Sequence, residues 1–172
     1  MRKFKTVFMR GGTSKGCMFL KEDLPENREE WDSIFLQVVG SPDPKQIDGM
    51  GGTVSSNNKI VVVWKSEEPG IDVEYLVGQV IVGKEQVDYK SNCGNMTAAV
   101  GPFAVAAALE GSVVNKLISP QTSTENVRIG HPSGIMTMCP EIEISQDEIK
   151  VPSVAVQRTA RRIMDGNVYV RK

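Results

Sequence analysis

Residues 93–109 form a run of almost entirely small and apolar side chains, broken only by Asn95 and Thr97. Such a run favours a helix, and Pro102 predicts a kink within it. A helix without a polar face cannot lie on the surface of a protein, so we expect this one to be buried as a central helix. That burial is the strongest constraint that the sequence places on the fold.

The segments on either side of this helix are predicted to be mainly strands. Before it, strands are expected over 3–10, 17–20, 60–64, 72–82 and 85–89. Apolar residues at helical spacing predict an amphipathic helix over 28–39 that ends at Gly40. After Gly111, short strands are expected over 127–129, 135–138, 141–144, 149–156 and 167–170, with a short helix over 156–164. This pattern predicts the α+β class.

Composition narrows the range of functions. Apolar residues make up 40% of the chain, charged residues 24%, and the net charge is −1, so neither nucleic acid nor an anionic membrane is an expected partner. Three cysteines without metal-ligand spacing and a single histidine argue against a disulfide framework and a zinc site. With no signal peptide and no apolar run of membrane-spanning length, the expected location is the cytoplasm.

Three glycine-rich loops have the composition of anion-binding sites: residues 10–16, 49–59 and 92–95. Glycine lets the backbone approach a ligand closely, and serine and threonine hydroxyls bind carboxylate oxygens. The first loop lacks the glycine–lysine spacing of a Walker A phosphate loop. Taken singly, each loop is explained as well by an ordinary hairpin turn.

Cys93 stands at the start of the small-residue helix, and Ser91 or Asn92 can cap that helix by accepting from free amides of its first turn. A helix N-terminus favours both a thiolate and a bound carboxylate. Cys93 is therefore a candidate acid/base group for a small acid substrate. A buried, inert cysteine that opens a core helix is the alternative.

Lys59 lies between the second glycine-rich loop and an apolar strand, where partial desolvation can make a lysine usable as a base. Taken alone, the position of Lys59 is explained better by a surface lysine whose aliphatic stem covers apolar neighbours. His131, within a Gly-His-Pro-Ser-Gly turn, is expected to be structural rather than catalytic.

Five motifs taken together resemble one family. They are Met9-Arg-Gly-Gly-Thr-Ser-Lys-Gly16, Gly51-Gly-Thr with Ser55-Ser56 and Lys59, Ser91-Asn-Cys-Gly-Asn95 with Gly101-Pro102, Ile129-Gly-His-Pro-Ser-Gly134, and Arg158-Thr-Ala-Arg-Arg162. In this order the chain resembles the 2-methylaconitate cis–trans isomerase (PrpF-type) family, which includes methylitaconate Δ-isomerases and oxalomesaconate tautomerases. The Cys93-Gly-Asn95 element also resembles the more distant diaminopimelate epimerases.

The resemblance implies a two-lobed fold of the diaminopimelate epimerase type. Each lobe is a curved mixed β-sheet around a central helix, and the active site lies in the cleft between the lobes. Residues 1–111 resemble most of the N-terminal lobe with one half of the catalytic site. Residues 112–172 resemble the short C-terminal end of the family, so the second lobe is expected to be largely absent, either in a natural short form or through truncation. A homodimer is expected to cover the exposed surface.

The resemblance also implies the chemistry, a proton shift within a small unsaturated di- or tricarboxylate of the 2-methylaconitate or aconitate type, as in propionate catabolism through the methylcitrate cycle. It implies no cofactor and no metal. By this resemblance Lys59 and Cys93 are the acid/base pair, and either of them can be the base. The residues implied to hold carboxylates are Thr13, Ser14, Ser56, Gly94 and Asn95.

Two other functions remain open from the sequence. A catalytically impaired form could serve as a tricarboxylate-binding or accessory module. An epimerase would need a second cysteine across the cleft, and neither Cys17 nor Cys139 lies in a Cys-Gly-Asn context.

Overall fold

The computed structural model describes residues 1–108, 127–131, 134–138, 140–144, 149–154 and 160–170. Its helices are α1 (Glu30–Val39) and α2 (Gly94–Ala108), with short 3-10 turns at Lys21–Asp23 and Ser55–Asn57. Its strands are β1 (Arg2–Gly11), β2 (Ser14–Leu20), β3 (Lys59–Lys65), β4 (Val73–Val80), β5 (Val87–Asp88), β6 (Val127–His131), β7 (Gly134–Met138), β8 (Pro140–Ile144), β9 (Ile149–Val154) and β10 (Ala160–Val170).

One mixed sheet contains eight of these strands. Seven follow the order β10-β1-β2-β3-β4-β6-β7, and β5 also pairs with β4. The pairs β2–β3 and β4–β6 are parallel and the other pairs are antiparallel. Strands β8 and β9 form a separate antiparallel ladder. The predicted α+β class with a mixed sheet is confirmed.

Helix α2 packs on one face of this sheet and is buried as predicted. Its side chains from Met96 to Ala104 form one core cluster with inward residues of the strands, among them Met18, Val61 and Val77. The small residues of the helix allow its backbone to approach the sheet closely. The central position predicted from the absent polar face is therefore confirmed for this part of α2.

Helix α1 covers the opposite face of the sheet. Phe35 of α1 is fully buried against Phe19 of β2, with ring centroids 5.7 Å apart. The helix ends at Gly40, whose φ of +83° lies in the left-handed region that glycine adopts without strain. The sheet is thus a layer between two helices, and its α2 face carries the candidate functional residues.

The turn that joins β1 to β2 is shorter than the glycine-rich turn predicted over 11–16. Strand β1 continues through Gly11 and strand β2 begins at Ser14, so only Gly12 and Thr13 form the turn. Gly12 has a φ of +55°, as two-residue hairpin turns require. The tight turn holds Thr13 and Ser14 at the end of the hairpin.

The short helix predicted over 156–164 is wrong where the structure describes it. Residues 160–170 are strand β10, which pairs with β1 from Arg2↔Val170 to Gly11↔Ala160, with an irregularity at Phe8/Met9. Residues 155–159 lie outside the described residues. Pairing along the whole of β1 supplies a ladder of backbone hydrogen bonds that outweighs the local helical spacing of apolar residues. The strand predicted over 167–170 is the end of β10.

None of the described helices is long and apolar enough to cross a bilayer.

Substitution of Gly16 tests the close approach of β2 to β3. An alanine Cβ there would overlap the carbonyl oxygen of Lys59 and come within 2.8 Å of the Lys59 Cβ. Backbone atoms cannot move aside by a rotamer change, so we expect Gly16→Ala to lower the free energy of unfolding by about 2 kcal/mol or more. Urea unfolding measures the change.

The matched control is Gly83→Asn. Gly83 has open space around it and a φ of +71°, a conformation that asparagine tolerates. We expect a change of less than about 0.5 kcal/mol. Equal losses in both variants would contradict the close contact at Gly16.

Candidate active site

The polar residues of the α2 face form a row across four neighbouring strands. Gly16 of β2 is opposite Lys59 of β3, Lys59 is opposite Gln79 of β4, and Gln79 is opposite Asp88 of β5. Ser14 lies two residues before Gly16 and therefore on the same face. The row lies at the ends of these strands, where the apolar core ends and the first turn of α2 is placed.

Cys93 immediately precedes α2. Its carbonyl oxygen accepts the N–H of Thr97 at 2.9 Å, which closes the first turn, and its Sγ lies 3.9 Å from Ser14 Oγ. The side chain is half-buried and the thiol is free. The thiol thus faces the β1–β2 hairpin at the N-terminus of a buried helix.

The capping predicted for Asn92 and Ser91 takes a different form. Asn92 Oδ1 accepts the N–H of Cys93 at 2.7 Å, one residue before the helix. Ser91 Oγ donates to Asp88 Oδ2 at 3.0 Å and so takes part in the connection from β5. Both residues shape the entry to α2 rather than satisfy the amides inside its first turn.

Asn95 ties the helix to the hairpin. Its Nδ2 donates to Thr13 Oγ1 at 3.0 Å and to Ser14 Oγ at 3.3 Å. Gly12 has no side chain, and a Cβ there would overlap the Asn95 amide. Four of the predicted site residues, Thr13, Ser14, Cys93 and Asn95, are therefore brought together as one cluster.

Gly94 is the exposed first residue of α2 and lies between Cys93 and Asn95. The first turn of an α-helix carries backbone N–H groups without partners inside the helix and the positive end of the helix dipole. Because the Ser14 hydroxyl lies at the same place, this end of the structure can receive a carboxylate.

Lys59 is held on the same face, next to the cluster. Its Nζ donates to Gln79 Oε1. Ser14 and Gly16 are about 7 Å apart along β2, and neighbouring strands are about 5 Å apart, so the backbones of Lys59 and of Ser14, which contacts Cys93, are about 9 Å apart. Ser56 lies in the 3-10 turn Ser55–Asn57 before Lys59, and not in the cluster of Thr13 and Asn95.

A buried pair beneath the cluster fixes the height of α2 above the sheet. Tyr75 Oη and Thr97 Oγ1 are 2.9 Å apart, and Thr97 Oγ1 also donates to the Cys93 carbonyl at 3.1 Å. Burial raises the pKa of the Tyr75 phenol, which therefore stays neutral and able to donate. The contact connects β4 to the residue that carries the thiol.

Asp88 is an ionisable residue of this face that the sequence analysis did not single out. The backbone N–H of Lys90 and the hydroxyl of Ser91 donate to its carboxylate at 2.9 and 3.0 Å. The Lys90 hydrogen bond is the main cause that lowers the pKa of Asp88, with Lys59 as a smaller electrostatic contributor. Asp88 is thus ionised at neutral pH and shapes the turn that leads to Cys93.

Gln79 was also missed, although the sequence carried a signal. Within the apolar segment Leu76-Val77-Gly78-Gln79-Val80 it is a polar residue at an inward position of the strand alternation. Strand periodicity places Gln79 on the same face as Val77 and Tyr75. A polar side chain at a core-facing position is an indication of a functional neighbour.

The two other cysteines and the histidine differ from Cys93. Cys17 lies on the α1 face and is only 1% exposed, and burial raises its pKa to about 12. Cys139 lies outside the described residues, and so does the side chain of His131. In the described part of the chain no group of three histidine, cysteine, aspartate or glutamate residues could hold a metal ion.

With this geometry established, comparison with known proteins identifies the family. The sequence model of the PrpF protein family matches residues 1–109 and, as a second segment, residues 104–171. The chain belongs to the PrpF protein family.

Individual relatives are isomerases by name. The 2-methyl-aconitate isomerase of Shewanella oneidensis is 41% identical over 173 residues, covering 97% of this chain and 41% of that protein. The (4E)-oxalomesaconate Delta-isomerase of a Novosphingobium species is 54% identical over 103 residues, covering 60% of this chain and 29% of that protein. A crystal structure of a methylitaconate-delta-isomerase superposes with a TM-score of 0.68 at 33% identity, covering 84% of this chain and 35% of that one.

The chain spans about two fifths or less of the length of the curated relatives that it matches. The matches therefore establish the family of this chain. The activities in the names of the relatives belong to proteins more than twice as long.

Differences in burial predict which thiol reacts first. We expect iodoacetamide at neutral pH to label Cys93 well before Cys17, because Cys17 is buried and its raised pKa keeps it as a thiol. Mass spectrometry of peptides after brief labelling measures the order. The urea-unfolded chain is the control, in which the two cysteines should react at similar rates. Preferential labelling of Cys17 in the folded protein would contradict the placement of both residues.

Proposed function

We propose that this chain carries the N-terminal half of the active site of an isomerase that moves a proton within a small unsaturated di- or tricarboxylate, without a cofactor. The observation that supports this most directly is the cluster of Ser14, Cys93 and Asn95 at the start of α2, with Lys59 beside it on the same face. The names of the relatives, which include 2-methyl-aconitate and oxalomesaconate isomerases, point to the same substrate class.

In the proposed reaction one group removes a proton from a carbon α or γ to a carboxylate. The electron pair of the broken C–H bond moves through the double bond toward that carboxylate, and an enolate-like intermediate forms. A second group then donates a proton to the other end of the allylic system, so the double bond shifts or changes geometry. The reaction needs one base, one acid and hydrogen-bond donors that face the developing negative charge.

Lys59 and Cys93 are proposed as the acid/base pair. The favoured assignment makes Lys59 the base and Cys93 the proton donor, and the reverse order fits the same positions. In the favoured order the Lys59 amine accepts the proton from the substrate carbon, and the Cys93 thiol donates its proton to the other end of the allylic system. Lys59 lies opposite Gly16 of β2, and Cys93 contacts Ser14 two residues earlier on the same strand, so both groups lie over the same part of the α2 face.

The carboxylates are proposed to bind at the helix start. The hydroxyls of Thr13 and Ser14 and the backbone amides near Gly94 and Asn95 supply donors from one side. Ser56, in the turn before Lys59, is proposed to bind a carboxylate from the other side. A bound substrate would then lie between the β1–β2 hairpin with the start of α2 on one side and the 3-10 turn before β3 on the other.

For the fold we propose a lobe of the diaminopimelate epimerase type, with residues 1–111 carrying the catalytic half-site and residues 112–172 as the C-terminal segment. The layer of α2 on a mixed sheet supports this assignment. The hydroxyls and amides at the start of α2 can hold a carboxylate without any proton transfer, which supports a second candidate, a tricarboxylate-binding or accessory module with little turnover of its own.

Substitution of the proposed acid/base pair tests catalysis. We expect Lys59→Ala and Cys93→Ser each to lower isomerase turnover about a hundredfold or more, the usual scale for a lost acid/base group. Proton exchange from trans-aconitate in deuterated buffer, followed by NMR, measures the reaction. Both residues lie at the edge of the core, so the circular dichroism spectra of the variants should match that of the unchanged chain.

The matched control is Lys45→Ala, which removes a lysine from an exposed loop and should leave exchange unchanged. Near-normal exchange in either active-site variant would remove that residue from the mechanism. Saturable binding of aconitate by the unchanged chain, without any exchange, would favour the binding module instead.

We also propose that the chain forms a two-fold dimer. Strand β10 is at the end of the sheet, with no strand on its outer side among the described residues. Its large apolar side chains Ile163, Met164 and Tyr169 are between 39% and 58% exposed. An open strand edge with exposed apolar residues promotes pairing with another chain.

Light scattering over a dilution series tests this association. We expect the mass of a dimer at high concentration, and exchange activity that falls together with the dimer on dilution. Ile163→Lys should shift the equilibrium toward the monomer, because a lysine on a strand edge opposes pairing. The control is Lys84→Ala, an exposed change in the turn between β4 and β5, on other strands than β10 and its partner β1. A stable monomer with full activity would contradict both the dimer and its part in catalysis.

A further inference from the structure

Gln79 is a buried side chain that holds Lys59 from the neighbouring strand. It lies on β4 opposite Lys59 and is 8% exposed. Its Oε1 accepts a hydrogen bond from Lys59 Nζ. The other end of the same amide, Nε2, donates to backbone carbonyls of Ser55 at 3.2 Å, Asn58 at 3.2 Å and Val80 at 2.9 Å.

These contacts leave the amide only one orientation. If the group rotated by half a turn, its oxygen would face the three carbonyl oxygens and its NH₂ would face the amino group of Lys59. The contacts between its oxygen and the three carbonyl oxygens would be repulsive, and the amide is too deeply buried for water to replace its partners. The acceptor therefore always faces Lys59.

We infer that Gln79 is a positioning residue for Lys59, an inference that rests on the proposed acid/base role of that lysine. Gln79 binds one N–H of the amine and so keeps Nζ at the edge of the α2 face, close to Gly16. A lysine has four rotatable side-chain bonds and would otherwise sample many positions in solvent. Gln79 fixes the amine before substrate arrives.

The neutral charge of Gln79 is part of this role. A carboxylate in its place would favour the ammonium form of Lys59 and oppose its function as a base. Among the described residues, the charged or titratable groups around Lys59 include Asp88 on β5, one strand beyond Gln79, Lys90 in the turn that follows, and Cys93 at the start of α2. All three are retained in the variants below, so a change in the titration of Lys59 can be assigned to position 79.

Two variants separate positioning from simple structural support. Gln79→Met removes the acceptor while keeping a side chain of similar length. The carbonyls of Asn58 and Ser55 still accept the N–H groups of Val80 and Asn58, at 3.0 and 3.4 Å, so the variant is expected to fold. Gln79→Glu keeps an acceptor and adds a negative charge beside Lys59. The control is Gln37→Glu, which makes the same change on α1, on the opposite side of the sheet.

The direct measurement is the rate at which acetic anhydride acylates Lys59 at a series of pH values, with exposed Lys45 as the internal standard and mass spectrometry as the readout. In Gln79→Met we expect Lys59 to react several-fold faster relative to Lys45, because its amine is released. In Gln79→Glu we expect the midpoint of the labelling curve to move to higher pH by about one unit, since the added carboxylate stabilises the ammonium form. Gln37→Glu should change neither quantity.

The labelling experiment does not depend on turnover, so it can be decided even if the chain proves not to be an isomerase. Labelling of Lys59 that is unchanged in both Gln79 variants would overturn the inference. In an active chain, we expect Gln79→Met to lower kcat about tenfold or more with little change in KM. Altered labelling with an unchanged kcat would also overturn it, because the hydrogen bond would then have no part in positioning the lysine for catalysis.

Discussion

The close contact between the first turn of α2 and the β1–β2 hairpin is the constraint on which the rest of the structure depends. It is possible because Gly11 and Gly12 carry no side chain where the backbone and amide of Asn95 approach. The contact is held by hydrogen bonds from Asn95 to Ser14 and by the buried pair of Tyr75 and Thr97 beneath it. Larger residues at these positions would lift the helix, open the core and separate the thiol from the hairpin.

The same contact explains why the polar groups of the site can be stable in a largely apolar layer. A helix N-terminus has amides that need partners, and a buried one without them would be costly. The hairpin hydroxyls bind the Asn95 side chain, and Asn92 accepts the N–H of Cys93 one residue before the helix. A bound carboxylate would meet the same need and also interact with the positive end of the helix dipole. The requirement for a stable helix start therefore produces a place suited to an anion.

The sequence predicted the elements whose evidence is local. Helix α2 follows from its lack of a polar face, α1 from apolar spacing and Gly40, and the cluster around Cys93 from glycine-rich motifs that recur in one family. Residues 160–166 of strand β10 were missed because the pairing of β10 with β1 joins the two ends of the described chain, and local spacing does not record such a contact. Gln79 was missed because a glutamine in a strand is usually exposed, and only its register opposite Lys59 gives it a role.

The balance of charge on this face constrains how a multiply charged acid can bind. Asp88 lies on the same face as Lys59, with Gln79 between them, and its carboxylate is stabilised by the Lys90 amide and the Ser91 hydroxyl, so the face carries a negative charge as well as a lysine. The helix start can hold one carboxylate through dipoles and hydroxyls, which supply no full charge. A second or third carboxylate needs further donors or cations from an element that approaches from above the site. Such an element could belong to a second lobe, as in a longer chain, or to a second copy of this one. We therefore propose that this half-site would hold the reacting end of the substrate and that another surface would hold the remainder.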